Sequence, residues 1–113
     1  MKTAHKKYCF ALDLKEDKRL IAAYKAHHKK VWPEIIQQIK ETGILEMEIY
    51  QVGNRLFMIM ETKPEFSLEN KEKQDQKNPK VKEWEALMSQ YQQQLPFANP
   101  DEKWVLMDQI FKL

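Results

Sequence analysis

Two neighbouring histidines, His27 and His28, lie in a segment that reads Tyr24-Lys-Ala-His-His28-Lys-Lys-Val-Trp32-Pro33-Glu34. Imidazole is the side chain whose ordinary pKa, about 6.5, lets it give and take protons near neutral pH. On a helix, Tyr24 stands one turn before His28 on the same face, and Trp32 follows four residues later, where Pro33 breaks the chain. A phenol, an imidazole and a flat indole around one hollow suit a sugar. The ring covers apolar C–H groups while the polar tips reach hydroxyls. The same spacing also describes a stripe that merely packs one helix against its neighbours, and periodicity by itself favours that plainer reading.

Other chemistries find less support. Adjacent helical residues point about 100° apart, so His27 and His28 do not share a metal comfortably. No Cys-x-x-Cys or His-x-x-x-His spacing accompanies them, and no metal site is expected. The single cysteine, Cys9, excludes an intrachain disulfide and reads as a small packed residue. His5 sits in a basic N-terminal stretch and reads as surface. Two glycines cannot build a phosphate loop or a dinucleotide turn. With 113 residues, 42% of them hydrophobic, the chain is expected to form one domain, 1–113, with a real core. A net charge of +2, with basic and acidic residues interspersed, argues against a nucleic-acid partner. No apolar run approaches the roughly 20 residues that span a bilayer. No signal-like segment follows the basic start. The expectation is a soluble, cytoplasmic protein with no membrane partner.

The positioning elements follow from period and punctuation. Lys6 to Leu14 alternates, with Tyr8, Phe10, Leu12 and Leu14 on one side and Cys9, Ala11 and Asp13 on the other, which predicts a strand. Asp17 caps a helix carrying Leu20, Ile21, Tyr24, His28 and Val31. Pro33 suits the first position of a restarted helix through Ile39, and Gly43 ends it. Ile44 to Val52 and Arg55 to Thr62 form a hairpin, Leu45, Met47 and Ile49 sharing one face, with Gly53-Asn54 supplying the positive φ angles of a tight turn. Residues 64–78 are polar and read as a solvated loop or helix face. Val81, Trp84, Leu87, Met88 and Tyr91 mark another helix, and a last strand is expected over 103–111. The order strand, helix, strand, strand, helix, strand predicts an α+β, ferredoxin-like split βαβ fold. That fold is a four-stranded antiparallel sheet with two helices on one face. Strand three is apolar on both sides, so the uncovered face is expected to dimerise through sheets or to form a pocket.

Tyr24, His28 and Trp32-Pro33-Glu34 together resemble the signature of the L-rhamnose mutarotase family. The similarity continues through Gly43, Ile49-Tyr50, Leu56-Phe57, Glu61, Trp84, Met88 and Ile110-Phe111-Lys-Leu113, and is weakest between Pro64 and Lys80. The resemblance implies a dimeric α/β-barrel type of ferredoxin-like protein, a homodimer through its sheet faces. Such an enzyme interconverts the α and β anomers of a 6-deoxy monosaccharide and needs neither cofactor nor metal. It places the proton-donating histidine at His28, a sugar-contacting tyrosine at Tyr24, and one of two successive tryptophans at Trp84.

Three positions depart from the family pattern. The second tryptophan is Glu85, a further sugar-contacting tyrosine on the second strand falls on Met47, and the frequent Asn-Pro after the histidine is Lys29-Lys30. Proton chemistry thus carries over better than substrate identity, and L-rhamnose and L-fucose both stand as substrates. Trp32 is expected to fix the helix break rather than touch sugar, and Glu34 to favour the positive end of its helix. The complementary base is water or Glu85. Two other readings compete: a sugar-binding or regulatory relative without catalysis, and a cofactor-free monooxygenase-like protein on the same architecture.

Overall fold

The computed structural model describes residues 4–113, so the first three residues of the basic N-terminal stretch lie outside the described residues. Apolar alternation produces β1 (Lys6–Leu14), β2 (Ile44–Val52) and β3 (Arg55–Thr62). β1 runs antiparallel to β3 from Lys6↔Thr62 to Asp13↔Arg55, and β3 pairs antiparallel with β2. Two short strands share the other edge of β1. β4 (Gln92–Gln93) pairs with Asp13 and Leu14, and β5 (Val105–Leu106) pairs with Phe10 and Ala11. The order β2-β3-β1-β4 is the expected ferredoxin-like one.

The helical layer comes as four helices, α1 (Lys18–His28), α2 (Pro33–Glu41), α3 (Leu68–Gln76) and α4 (Pro79–Ser89). α1 and α2 are the expected helix and its restart at Pro33, α4 is the later expected helix, and α3 forms within the polar 64–78 segment. Asp17 caps α1, its carboxylate accepting from the Arg19 and Leu20 N–H groups at 2.8 and 3.2 Å. Pro33 opens α2 as its first residue, and Gly43, at φ +102°, turns the chain out of it. α3 has no buried residue, in keeping with the polar segment that forms it. The buried amide of Gln38 on α2 links the layer: it donates to Asp75 of α3 at 3.2 Å and accepts from the Asn78 side chain, which caps α4, at 3.1 Å. No helix among the described residues is long and apolar enough to cross a membrane.

Strand register sets the faces. Phe10, Leu12 and Leu14 face the helices, and the last two have no exposed surface. Burying a leucine side chain is worth about 1.5–3 kcal/mol before entropy costs. One core cluster joins Phe10, Ile44, Met60 and Phe66; the other joins Leu14, Tyr24, Leu56 and Met88. The opposite sheet face carries Cys9, Ala11, Phe57 and Ile59, together with Asp13, whose buried carboxylate is held by Arg55 Nε at 2.8 Å.

Three local expectations change. Leu45 does not share a face with Met47, because a register shift between Ile44 and Glu46 leaves it exposed while Ile44 goes into the core. In the hairpin turn only Gly53 takes a positive φ, +58°, the pattern with glycine at the first central position. The last strand, expected over 103–111, pairs only at Val105–Leu106, followed by one bond from Met107 N–H to the Cys9 carbonyl. β4 already occupies the rest of that edge of β1, and the chain beyond is unpaired, with Ile110, Phe111 and Leu113 fully or largely exposed.

Candidate active site

The last turn of α1 carries Tyr24, His27 and His28. His28 Nδ1 lies 2.8 Å from the Tyr24 carbonyl oxygen. A carbonyl can only accept, so Nδ1 carries the proton. That leaves Nε2 as a lone pair when the ring is neutral and as an N–H donor when it is charged. Nε2 is engaged by no described residue, and the ring is half-buried, neither sealed in the core nor loose in water.

Rings surround it. The Tyr24 ring lies beneath His28 at 4.5 Å between centroids, tilted by 36°. Trp84 of α4 meets His28 edge-on at 5.7 Å, and Trp32 meets Trp84 edge-on at 5.1 Å. Lys80, one turn before Trp84 on the same helix face, places its ammonium 5.7 Å from the Trp32 ring centre. The expected grouping of Tyr24, His28 and Trp84 is therefore present. Trp32 both occupies the helix break, as the N-cap of α2, and extends the aromatic wall.

Tyr24 is only 4% exposed. Burial pushes its phenol above the ordinary 10.0, and a hydrogen bond with the Gln92 side chain opposes that. At neutral pH it is thus a neutral phenol. Its main service to His28 is as a platform and, through its carbonyl, as the group that selects the tautomer.

Met47 and Glu85 stand apart from these rings. Met47 packs against the Phe10, Ile44, Met60 and Phe66 cluster. Glu85 follows Trp84 by one residue, is turned about 100° from it around α4, and is exposed. His27, weighed only as a metal ligand, and Tyr91, placed only on an apolar helix side, also belong to the array. His27 Nε2 lies 3.1 Å from the Tyr91 hydroxyl, and its ring meets Trp84 edge-on at 6.4 Å. The signal available for them was spacing: His27 is three residues from Tyr24, and Tyr91 seven from Trp84, each on the shared face of a helical pattern. Among the described residues, no three His, Cys, Asp or Glu side chains gather as a metal site.

A sequence model of the family described as L-rhamnose mutarotase matches residues 7–113. An L-fucose mutarotase from Xanthomonas campestris pv. campestris is 39% identical over 107 residues, covering 93% of this chain and 86% of that protein. A UPF0734 protein from Dictyostelium discoideum is 37% identical over 113 residues, covering 96% of this chain and 90% of its own length. Among solved structures, an L-rhamnose mutarotase from Formosa agariphila superposes with a TM-score of 0.71 at 24% identity, over 96% of this chain and 98% of that one. A dimeric ferredoxin-like protein from an uncultured marine organism gives 0.54 at 14% identity, over 99% and 95%. At these identities the two superpositions speak for the fold alone.

Proposed function

The chain belongs to the L-rhamnose mutarotase family and is a sugar mutarotase, and from that premise we propose that His28 exchanges the α and β anomers of a 6-deoxy sugar pyranose. Ring opening breaks the C1–O5 bond of the hemiacetal. His28 Nε2, as an imidazolium N–H, donates its proton to O5, while the anomeric hydroxyl gives its proton to water and becomes the aldehyde oxygen. Rotation about C1–C2 presents the other face of the carbonyl. On closure the O5 hydroxyl attacks C1 and returns its proton to Nε2, and the carbonyl oxygen regains one from water. No net proton or electron is consumed.

The observation that supports this reading is the Nδ1 contact to the Tyr24 carbonyl, which directs the reactive nitrogen away from the helix. Trp84 would lie over the apolar face of the sugar, its indole already held edge-on to His28. L-Rhamnose and L-fucose, the sugars named for the family and for the Xanthomonas relative, are the substrates to compare. Saturation-transfer NMR between anomer resonances measures the exchange directly. Wild-type protein is expected to accelerate it for at least one of the two, and no acceleration with either would refute the proposal.

The same reading includes a homodimer formed by the uncovered sheet faces. Its support is an apolar hollow of about 270 Å³ on that face, lined by residues including Ala11, Phe57, Leu95, Phe97, Val105 and Met107. Phe57 and Ala11 lie directly opposite one another in the β1–β3 register.

A further inference from the structure

We propose that His27 and Tyr91 act as one positioning unit for the sugar site, holding the Trp84 indole at its working angle; this rests on the mutarotase reading above. The rings form a closed circuit. Tyr24 meets His28, His28 meets Trp84, Trp84 meets His27, His27 meets Tyr91 at 5.5 Å, and Tyr91 returns edge-on to Tyr24 at 6.2 Å. Within this circuit the hydrogen bond that joins two side chains is the 3.1 Å contact of His27 Nε2 with the Tyr91 hydroxyl. It ties the last turn of α1 to a residue 64 positions later, just beyond the end of α4.

Tyr91 is itself an anchored strut. Its N–H donates to the Met88 carbonyl at 3.0 Å, and its own carbonyl accepts from Lys15 N–H at 2.9 Å, just past the end of β1. The phenol therefore reaches His27 from a backbone held on both sides. Trp84 lies against two imidazoles, and these differ in what restrains them. His28 is fixed by its own helix, through the Tyr24 carbonyl, whereas His27 is fixed from outside that helix, by Tyr91. Two restraints of different origin on one indole set its angle as well as its distance. An indole that must lie flat on a sugar is sensitive to that angle, and sugar binding is where the loss of the restraint is felt.

The test is steady-state anomer exchange with wild-type protein and with Tyr91→Phe, His27→Leu, His27→Gln and the double variant His27→Leu/Tyr91→Phe. Loss of one hydrogen bond is expected to raise KM by roughly five- to tenfold in Tyr91→Phe and His27→Leu, with kcat within about twofold. The double variant is expected to be no worse than either single one, because the two residues act through the same bond. His27→Gln, whose side-chain amide can still bond the phenol, should recover most of the wild-type KM. An unchanged KM in Tyr91→Phe, effects that multiply in the double variant, or a lowered melting temperature without a KM change would each overturn the proposal. These results leave the mutarotase reading intact if the wild type is active. A wild type with no exchange activity would overturn both.

Discussion

The imidazole of His28 donates from Nδ1 to the backbone carbonyl of Tyr24, one helical turn before it, at 2.8 Å. One backbone oxygen thereby settles which ring nitrogen is left free. In the neutral protein, nitrogen-detected NMR is expected to find the His28 proton on Nδ1 and a lone pair on Nε2. A predominance of the Nε2–H form would contradict the assignment.

On the proposed mechanism, replacing His28 removes the proton carrier. General acid–base catalysis is worth about 10²–10⁴ in rate, so His28→Asn should lose most of the anomer exchange by that order. Circular dichroism should show the fold retained, since the ring is only half-buried. Full activity in the variant would rule out the role.

Tyr24 predicts an alkaline limit on stability. Burial favours its neutral form and raises its pKa in the fold above the ordinary 10.0. Its contribution is complete below pH 10. As pH rises past 10 the unfolded chain releases the phenol proton first, and stability falls until the folded pKa is passed. Tyr50 is also raised, because its hydroxyl donates to the Glu48 carboxylate, whose charge disfavours the phenolate. Denaturant titrations from pH 8 to 11 should therefore compare Tyr50→Phe with Tyr50→Phe/Tyr24→Phe. The second is expected to have the shallower alkaline decline, and equal slopes would contradict the burial argument.

The support beneath the site has its own cost. Leu14 has no exposed surface and packs with Tyr24, Leu56 and Met88. Leu14→Ala is expected to lower stability by about 2–5 kcal/mol. Asp17→Ala removes the cap of the helix that carries His28, at about 0.5–2 kcal/mol. Chemical denaturation reads both, and a Leu14 effect below the Asp17 effect would contradict this packing account.

Phe57→Asp puts a charge on the uncovered sheet face, remote from His28. Analytical ultracentrifugation is expected to show wild-type dimers and mutant monomers. A monomeric wild type would remove the sheet-face homodimer.

Much of this architecture was legible because its signals are local. Alternation marked β1 and the hairpin, Asp17 and Pro33 marked two helix starts, and Gly43 marked a helix end. α3 was harder to read as a helix, for none of its residues is fully buried and only Leu68 packs against the core. It is marked by the Ser67 cap and by pairs one turn apart, such as Lys71 with Asp75 and Lys73 with Glu69, instead of an apolar stripe. Gln92 and Gln93 form a strand only because the end of β1 offers them an edge, and no short-range pattern encodes that. At the site, Tyr24, His28 and Trp84 followed from helical spacing and family resemblance. The His27–Tyr91 bond did not, since its partners lie 64 residues apart and meet only once the sheet has brought the helices together.

Asn78 has one amide to share between two tasks. Giving its Nδ2 to Gln38 leaves Oδ1 turned toward the opening turn of α4, where it receives the N–H groups of Lys80 and Val81. The orientation of the helix that bears Trp84 is thus dictated in part by a glutamine on a different helix, which takes no part in the ring array. A change at position 38 would loosen the start of that helix from behind, with every residue of the aromatic wall left unchanged.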